Sequence, residues 1–371
     1  MIFFNSYIII NIQKFKEYQP IMKRFTFSLA LMAVIALASC SKKTELKGAN
    51  TLYLFTWTYY TPEDAIRQFE KEFNCTVKVD TYDSNEVMYA KLKAAGASGY
   101  DIAFPSQDYA SIMMSQSMIR RIDMNRFENS KYINPEVLAK IPYDPKMEYC
   151  VPYYMGAAGI AVNKQKLSGY ARDWTIFEDA RIKGHASMLD DMREVLGAAL
   201  VTNGCSVNSL KDAELKTATD LIVNKWKPNL VKFDAEGFAK SFAAGDFWVC
   251  QGYAEAIYEE VPEDKQDEMI DFFIPKAGGQ MYIDSMVILR DSNHYDLAMK
   301  FINFIHRPEI YAQFLDFFRF PATVNMEAAQ YMKTTPLYKA EEMENCELTL
   351  DLADGLDKYN EIWDKIRFSS Q

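Results

Sequence analysis

The chain has 371 residues, 51 acidic against 41 basic side chains, three His, six Cys and 14% aromatic residues. That length suits two domains or one large α/β unit. The net charge of −10 argues against nucleic-acid binding, which calls for a basic face, and so few histidines disfavour a His-rich metal site.

From Met22 the sequence reads MKRFTFSLALMAVIALASC. Lys23 and Arg24 form a positive start, Phe25 to Ala38 is almost continuously apolar, and small residues precede Cys40. This is the pattern of a secretory signal peptide. The apolar run is short of the ~20 residues a membrane span needs. Leu37-Ala38-Ser39-Cys40 resembles a bacterial lipobox, so residues 1–39 are expected to be a leader, with translation starting at Met22. Cys40 is the expected lipid anchor and 40–49 a polar tether.

Thr51 to Thr56 predicts a first strand, and Thr61-Pro62-Glu63-Asp64 opens a helix with Thr as cap and acids at its positive end. Cys75 to Asp80 predicts a second strand, Asn85 to Ala95 a helix stopped by Gly96, and Asp101 to Phe104 a third strand. A Pro- and Tyr-rich stretch (142–154) precedes a strand over Gly159 to Asn163. Further strands are expected at Ala186 to Leu189, Phe247 to Cys250, Phe272 to Ile274 and Met281 to Ile288. Helices are expected at Asp191 to Val201, 253–260, 294–306, 308–318 and about 351–367, the last with Trp363 on its core face. Alternating strands and helices predict an α/β fold of two lobes joined by crossing strands, with a ligand cleft at the crossing.

The chain has no GxSxG elbow, phosphate-binding Gly loop, HExxH or dinucleotide fingerprint. His185, His294 and His306 stand apart from one another, and His294 before a helix and His306 at the end of one read as capping or surface residues. Cys75, Cys150, Cys205, Cys250 and Cys346 show no metal-ligand spacing and read mostly as buried thiols. An enzyme is therefore not expected, nor a metal or cofactor.

Strand ends carry the informative chemistry. Trp57-Thr58-Tyr59-Tyr60 follows the first strand, and Pro105-Ser106-Gln107-Asp108-Tyr109 the third. Asp191 and Glu194 share a helix face, and Tyr282 and Asp284 point the same way along a strand. Ligands of open α/β sheets bind beyond the carboxyl ends of strands. Rings and carboxylates together suit an alkyl-ammonium ligand: methylenes pack on rings, ring faces attract cations, and acids accept charged hydrogen bonds. Taken singly, Asp191 and Glu194 could equally complement a helix dipole, and Trp57 and Tyr60 could pack a core.

From about Asn50 onward, TLYLFTWTYYTPE (51–63), TYDSNEVMYAKLKA (81–94), YDIAFPS (100–106), LDDMREVLGAAL (189–200), MYIDSMVI (281–288) and KFINFIHRPE (300–309) resemble the spermidine/putrescine-binding proteins of ABC importers. The resemblance implies a type II periplasmic-binding-protein fold, with 50–155 plus 283–328 in one lobe and 156–282 plus 329–371 in the other. It implies a monomeric, lipid-anchored, extracytoplasmic protein that hands a polyamine to permease subunits. By position it places Trp57, Thr58, Tyr60, Ser106 and Asp108 at the ligand from the first lobe, and Asp191, Glu194 and Gln251 from the second. Tyr282, Asp284, Phe320 and Thr349 complete the implied set. Tyr59 stands where the family often has an acid, Asp108 where it often has a ring, and Cys250 where it usually has Trp, with Trp248 two residues away. Another small cation, a neutral solute or a polyamine-sensing role stays open on this reading; an exported hydrolase is the remote alternative.

Overall fold

The computed structural model describes residues 50–58, 60–94 and 99–368. Residues 1–49, with the expected leader, Cys40 and tether, and Tyr59 lie outside them. Strands are β1 (Thr51–Trp57), β2 (Thr76–Tyr82), β3 (Ile102–Ala103), β4 (Cys150–Ala157), β5 (Gly159–Asn163), β6 (Ala186–Met188), β7 (Leu230–Phe233), β8 (Val249–Gly252), β9 (Ile270–Phe273), β10 (Gln280–Ile288) and β11 (Glu347–Leu348). Helices are α1 (Glu63–Phe73), α2 (Asn85–Ala94), α3 (Gln107–Ser115), α4 (Pro135–Ala139), α5 (Met192–Thr202) and α6 (Asp212–Leu221). They continue with α7 (Phe238–Ala244), α8 (Ala254–Glu260), α9 (Glu263–Met269), α10 (Tyr295–Ile305), α11 (Pro308–Phe318) and α12 (Leu356–Phe368).

Two sheets organise these elements. The first runs β11-β10-β3-β1-β2, with β4 also pairing β10; the second runs β7-β6-β8-β5-β9. In the first, β1 is parallel to β2 and β3, whereas β10 enters antiparallel to β3 and β4. Leu52 and Leu54 pack one face of β1 under Phe301, Phe304 and Phe314; Phe55 packs the other with Tyr82 and Met88. Burial on both faces is why β1 reads as a nearly continuous apolar run. The second sheet likewise carries a core on each face, one around Trp174, Leu196 and Trp226, the other around Phe238, Phe242 and Phe272.

The chain passes from the first sheet to the second between β4 and β5, across Ala158 alone, and returns between β9 and β10. Strand β10 pairs with β4 from Met281 to Val287, so residues 280–282 go with the first sheet, ahead of the expected crossing at 283. Strand β11 also joins the first sheet, against the expected placement of 329–371 in the second lobe. The chain crosses again afterwards, because Tyr359, Trp363 and Ile366 of α12 pack into the core of the second sheet.

Other expectations shift for physical reasons. Thr61 does not cap α1: Pro62 occupies that position, and among the described residues no side chain caps the helix and the buried Thr61 Oγ1 has no partner. Part of the 142–154 stretch is strand β4, buried on both faces, so that it shows no alternation, with Pro152 and two tyrosines inside it. His306 takes the C-terminal cap position of α10, as expected, but is fully buried rather than at the surface, and desolvation pulls its imidazole pKa down to about 3. All five cysteines of the described residues are free thiols, and Cys150, Cys250 and Cys346 are buried.

Candidate functional site

The β1 and β3 ends and the middle of β10 meet around one carboxylate. The β10–β4 pairing shifts register between Asp284 and Ser285, an irregularity of the kind that re-aims a side chain. Asp284 accepts a hydrogen bond from Tyr60 Oη at 2.7 Å and another from Ser106 Oγ at 2.6 Å, and is 3% exposed. Burial pushes its pKa up to about 7, although both hydroxyl donors oppose that shift. Tyr60 is held in turn by the rings of Tyr153, Phe314 and Phe318, with centroids 5.3, 5.7 and 5.7 Å away.

Beside it, the half-buried Trp57 donates its indole N–H to the Phe104 carbonyl at 2.9 Å and leans on Tyr82. Thr58 is exposed, its N–H bonded to the Tyr82 carbonyl. Tyr282 is half-buried opposite Gly156. A Cβ at Gly156 would come within 2.6 Å of Tyr282 Oη and 2.8 Å of the Tyr154 ring, so the bare backbone makes room for both tyrosines. Gly156→Ala is expected to displace the Tyr282 ring and cost about 1–3 kcal/mol in overpacking, measurable as lower thermal stability together with weaker ligand binding.

The second sheet contributes through loops leading into helices. Asp191 caps α5, accepting from the Arg193 N–H at 2.8 Å and the Glu194 N–H at 3.0 Å. Both bonds fall on Oδ1 and leave Oδ2 available. Asp191 is open to solvent yet walled by protein, and that partial desolvation raises its pKa. Glu194 is only 7% exposed, and its carboxyl makes neither hydrogen bond nor ion pair among the described residues. Burial, reinforced by the neighbouring Asp191 charge, raises its pKa well above the usual carboxylate range.

Asp108, at the start of α3, has its pKa pushed up to about 6 by burial, partly offset by the Tyr109 N–H and by Arg193. Arg193 is already committed: its guanidinium donates to the Leu350 carbonyl and Asn208 Oδ1 and sits over the Tyr359 ring.

Three of the expected residues serve the walls. Gln251 is fully buried, accepting from the Leu189 N–H and donating to the Glu194 carbonyl, and so braces the start of α5. The Thr349 hydroxyl donates to Gln280 Oε1 at 2.6 Å. Phe320 is fully buried and stacks on Tyr154 at 4.0 Å, one ring behind Tyr282. Cys250 packs wholly inside the core shared with Phe238 and Phe242, and Trp248 stacks on His185.

Sequence reasoning missed Gln107, Tyr253 and Glu255. Gln107 accepts from the Ile283 N–H and donates to the Thr349 carbonyl, fastening α3 to β10. Tyr253 meets Tyr282 edge-to-face at 6.0 Å, and the charges of Glu194, Asp191, Glu255 and Asp284 all act on it. The signal was present, since Tyr253-Ala254-Glu255 repeats the pattern of ring and acid just past a strand end.

Asp108, Asp191, Glu194, Glu255 and Asp284 thus border one region with Trp57, Tyr60, Tyr253 and Tyr282, and no ion pair neutralises any of the five acids among the described residues. Carboxyls without an ion pair in partly desolvated surroundings favour a cation. Among the described residues no group of three or more His, Cys, Asp or Glu is placed to hold a metal ion, and no helix is long and apolar enough to cross a membrane. A separate depression of about 330 Å³, lined by Asp190, Lys227, Lys232 and Arg367, involves none of these residues.

Residues 64–343 match the family model of bacterial extracellular solute-binding proteins. The spermidine/putrescine-binding periplasmic protein of Escherichia coli is 31% identical over 351 residues, covering 92% of this chain and 98% of its own. A putrescine/cadaverine-binding protein of Pseudomonas aeruginosa is 32% identical over 294 residues, covering 76% of this chain and 80% of its own. The crystal structure of the TpPotD lipoprotein of Treponema pallidum superposes with a TM-score of 0.83 at 49% identity, covering 86% of this chain and 99% of that one. The cleft of acids and rings between two crossing-linked sheets therefore sits in a solute-binding protein rather than an enzyme, and the chain belongs to the bacterial extracellular solute-binding proteins.

Proposed function

We propose that this protein captures a polyamine, spermidine or putrescine, in the cleft and delivers it to the permease of an ABC importer, held to a membrane by a lipid on Cys40. The observation that carries the reading is the five-carboxyl cleft without a paired cation, interleaved with Trp57, Tyr60, Tyr253 and Tyr282. Ring faces pack against methylenes and the acids accept from ammonium groups. The two sheets contribute acids from opposite sides, so the ligand gains most contacts when the lobes are closed and selects that state. The relatives named for spermidine, putrescine and cadaverine binding support the same class.

Calorimetric titration of the ligand-stripped protein with putrescine, cadaverine, spermidine and spermine tests it. Saturable single-site binding of at least one is expected. A folded protein giving neither heat nor thermal shift with any of them would overturn the proposal. For the anchor, Cys40→Ser is expected to move the protein from the membrane fraction to the soluble one; retention on the membrane would remove Cys40 from that role.

A further inference from the structure

We infer that two copies of this protein associate edge to edge through β2, each strand meeting its own image antiparallel about a two-fold axis at Val79. This goes beyond the function just proposed and departs from the monomer that the family resemblance implies. Strand β2 is the last strand of the first sheet and, among the described residues, pairs only with β1. Two hydrogen bonds fix which way its backbone points. The Thr76 N–H donates to the Asn50 carbonyl at 2.9 Å, and the Tyr82 carbonyl accepts from the Thr58 N–H at 3.2 Å. Successive residues of a strand turn their backbone polar groups to opposite sides. Thr76, Lys78, Asp80 and Tyr82 therefore turn theirs to β1, and Val77, Val79 and Thr81 turn theirs outward. The Val77 N–H bears this out, since it donates to Glu70 Oε1 at 2.8 Å. The N–H and C=O groups of Val79 and Thr81 meet no partner among the described residues, and both residues are exposed.

An open edge of this kind accepts another strand, and its side chains specify which one. A ladder forms only in registers that set outward-turned residues opposite one another. With the axis at Val79, Val79 faces itself, Val77 faces Thr81, and Lys78 faces Asp80 on both sides of the axis. Those are favourable cross-strand pairs: β-branched side chains on one face and opposite charges on the other. Moving the axis by one residue would set Lys78 against Lys78 or Asp80 against Asp80, so charge selects the register as well as the partner. Lys78 is exposed and makes no ion pair or side-chain hydrogen bond among the described residues. Asp80 is steadied by the Tyr100 hydroxyl at 2.5 Å and lies 3.9 Å from Lys91 Nζ, both on Oδ2, which leaves Oδ1 for a second copy. Val79 is 42% exposed and gains cover in the pair. Glu70, on the Val77 N–H, ends the ladder there, so it consists of the Val79 pair and the bonds from the Thr81 N–H to the Val77 carbonyl. The surface is self-complementary and closes at two copies. None of these residues borders the cleft, so each copy keeps its ligand site.

Sedimentation equilibrium over a concentration series tests this with the wild-type protein, Lys78→Asp, Asp80→Lys, the two exchanges combined, and Val79→Pro. The wild type is expected to dimerise as concentration rises, and less so at high salt. Each single exchange sets like charges opposite one another at both pairs and is expected to weaken the dimer about 10- to 100-fold. Combining the two exchanges restores opposite charges and is expected to restore the dimer. An equimolar mixture of the two single variants is expected to form a heterodimer, because one then presents only acids and the other only lysines. Val79→Pro removes an outward N–H without touching the β1 ladder and is expected to stay monomeric. Circular dichroism and melting establish that each variant is folded. If Asp80→Lys, which gives up the Tyr100 bond, does not fold, Lys78→Asp and Val79→Pro carry the test. A folded wild-type protein that stays monomeric at every concentration would overturn the inference, and so would a dimer that neither of those two variants weakens. Neither result bears on the polyamine reading, which the calorimetric titration tests separately.

Discussion

Asp284→Asn is expected to lower polyamine affinity about 10- to 100-fold at pH 8 and, in the same protein, to raise the melting temperature of the ligand-free form. The first effect is the loss of a charged acceptor for an ammonium. The second follows from where the carboxyl sits. Its folded pKa of about 7 lies above the ordinary 3.8 because it is desolvated and its two donors, Tyr60 and Ser106, are neutral hydroxyls. The folded state holds that proton more tightly than the unfolded chain. Stability from this group is therefore full below about pH 4 and is lost as pH rises through about 7. At pH 8 the ligand-free protein carries a penalty on the order of a few kcal/mol. Asn removes the charge and can still bond both hydroxyls. A melting curve with and without spermidine reads both effects. A variant that binds like wild type would take Asp284 out of the site, and one that melts lower at pH 8 would contradict its desolvation.

Affinity for spermidine is expected to fall on the order of 100-fold between pH 8 and pH 5. Primary alkyl-ammonium groups, with pKa values near 10, stay charged throughout, and an inner amine only gains charge as pH falls, so the loss of affinity belongs to the protein. Asp284 and Glu255 ionise near 7 and Asp108 near 6, each held up first by burial. Binding a cation selects the ionised forms and releases protons wherever the free carboxyls still hold them. A single acid of pKa 7 that must ionise already costs about 100-fold at pH 5. Calorimetry near pH 6.5 should give a binding heat that changes with buffer ionisation heat. A pH-independent affinity with a buffer-independent heat would mean that these acids do not face the ligand.

The raised acids and the cleft have one origin. A solute-binding protein for a cation must keep carboxyls unpaired, which costs stability in the empty protein and is recovered on binding. Arg193 lies close enough for its charge to act on Asp108, Asp191 and Glu194, yet Nη1 and Nη2 donate to the Leu350 carbonyl and Asn208, the buried Nε has no partner among the described residues, and no ion pair with these acids forms there.

Local pattern was enough for most elements and for the rings and acids that gather at strand ends. The apolar runs of β1 and β5, the cap Asp191 before α5 and the core stripe of α12 are written in residues near one another, because strand and helix periods and capping act over a few positions. The strand-end clusters of ring and acid at Trp57–Tyr60, Asp108, Asp191 with Glu194, and Tyr282 with Asp284 were legible for the same reason. What the sequence could not decide is which of these side chains remain available. Gln251 and Thr349 are polar and stand beside the site, yet partners far along the chain consume their polar atoms; Phe320 disappears behind Tyr154. Asp284 became the centre of the first lobe only because Tyr60 and Ser106, distant in sequence, come to it across a register shift, and Tyr253 gained its place because Cys250 packs into the core. Hydrogen-bond partners and burial depend on contacts between distant segments, so only the packed tertiary structure settles them.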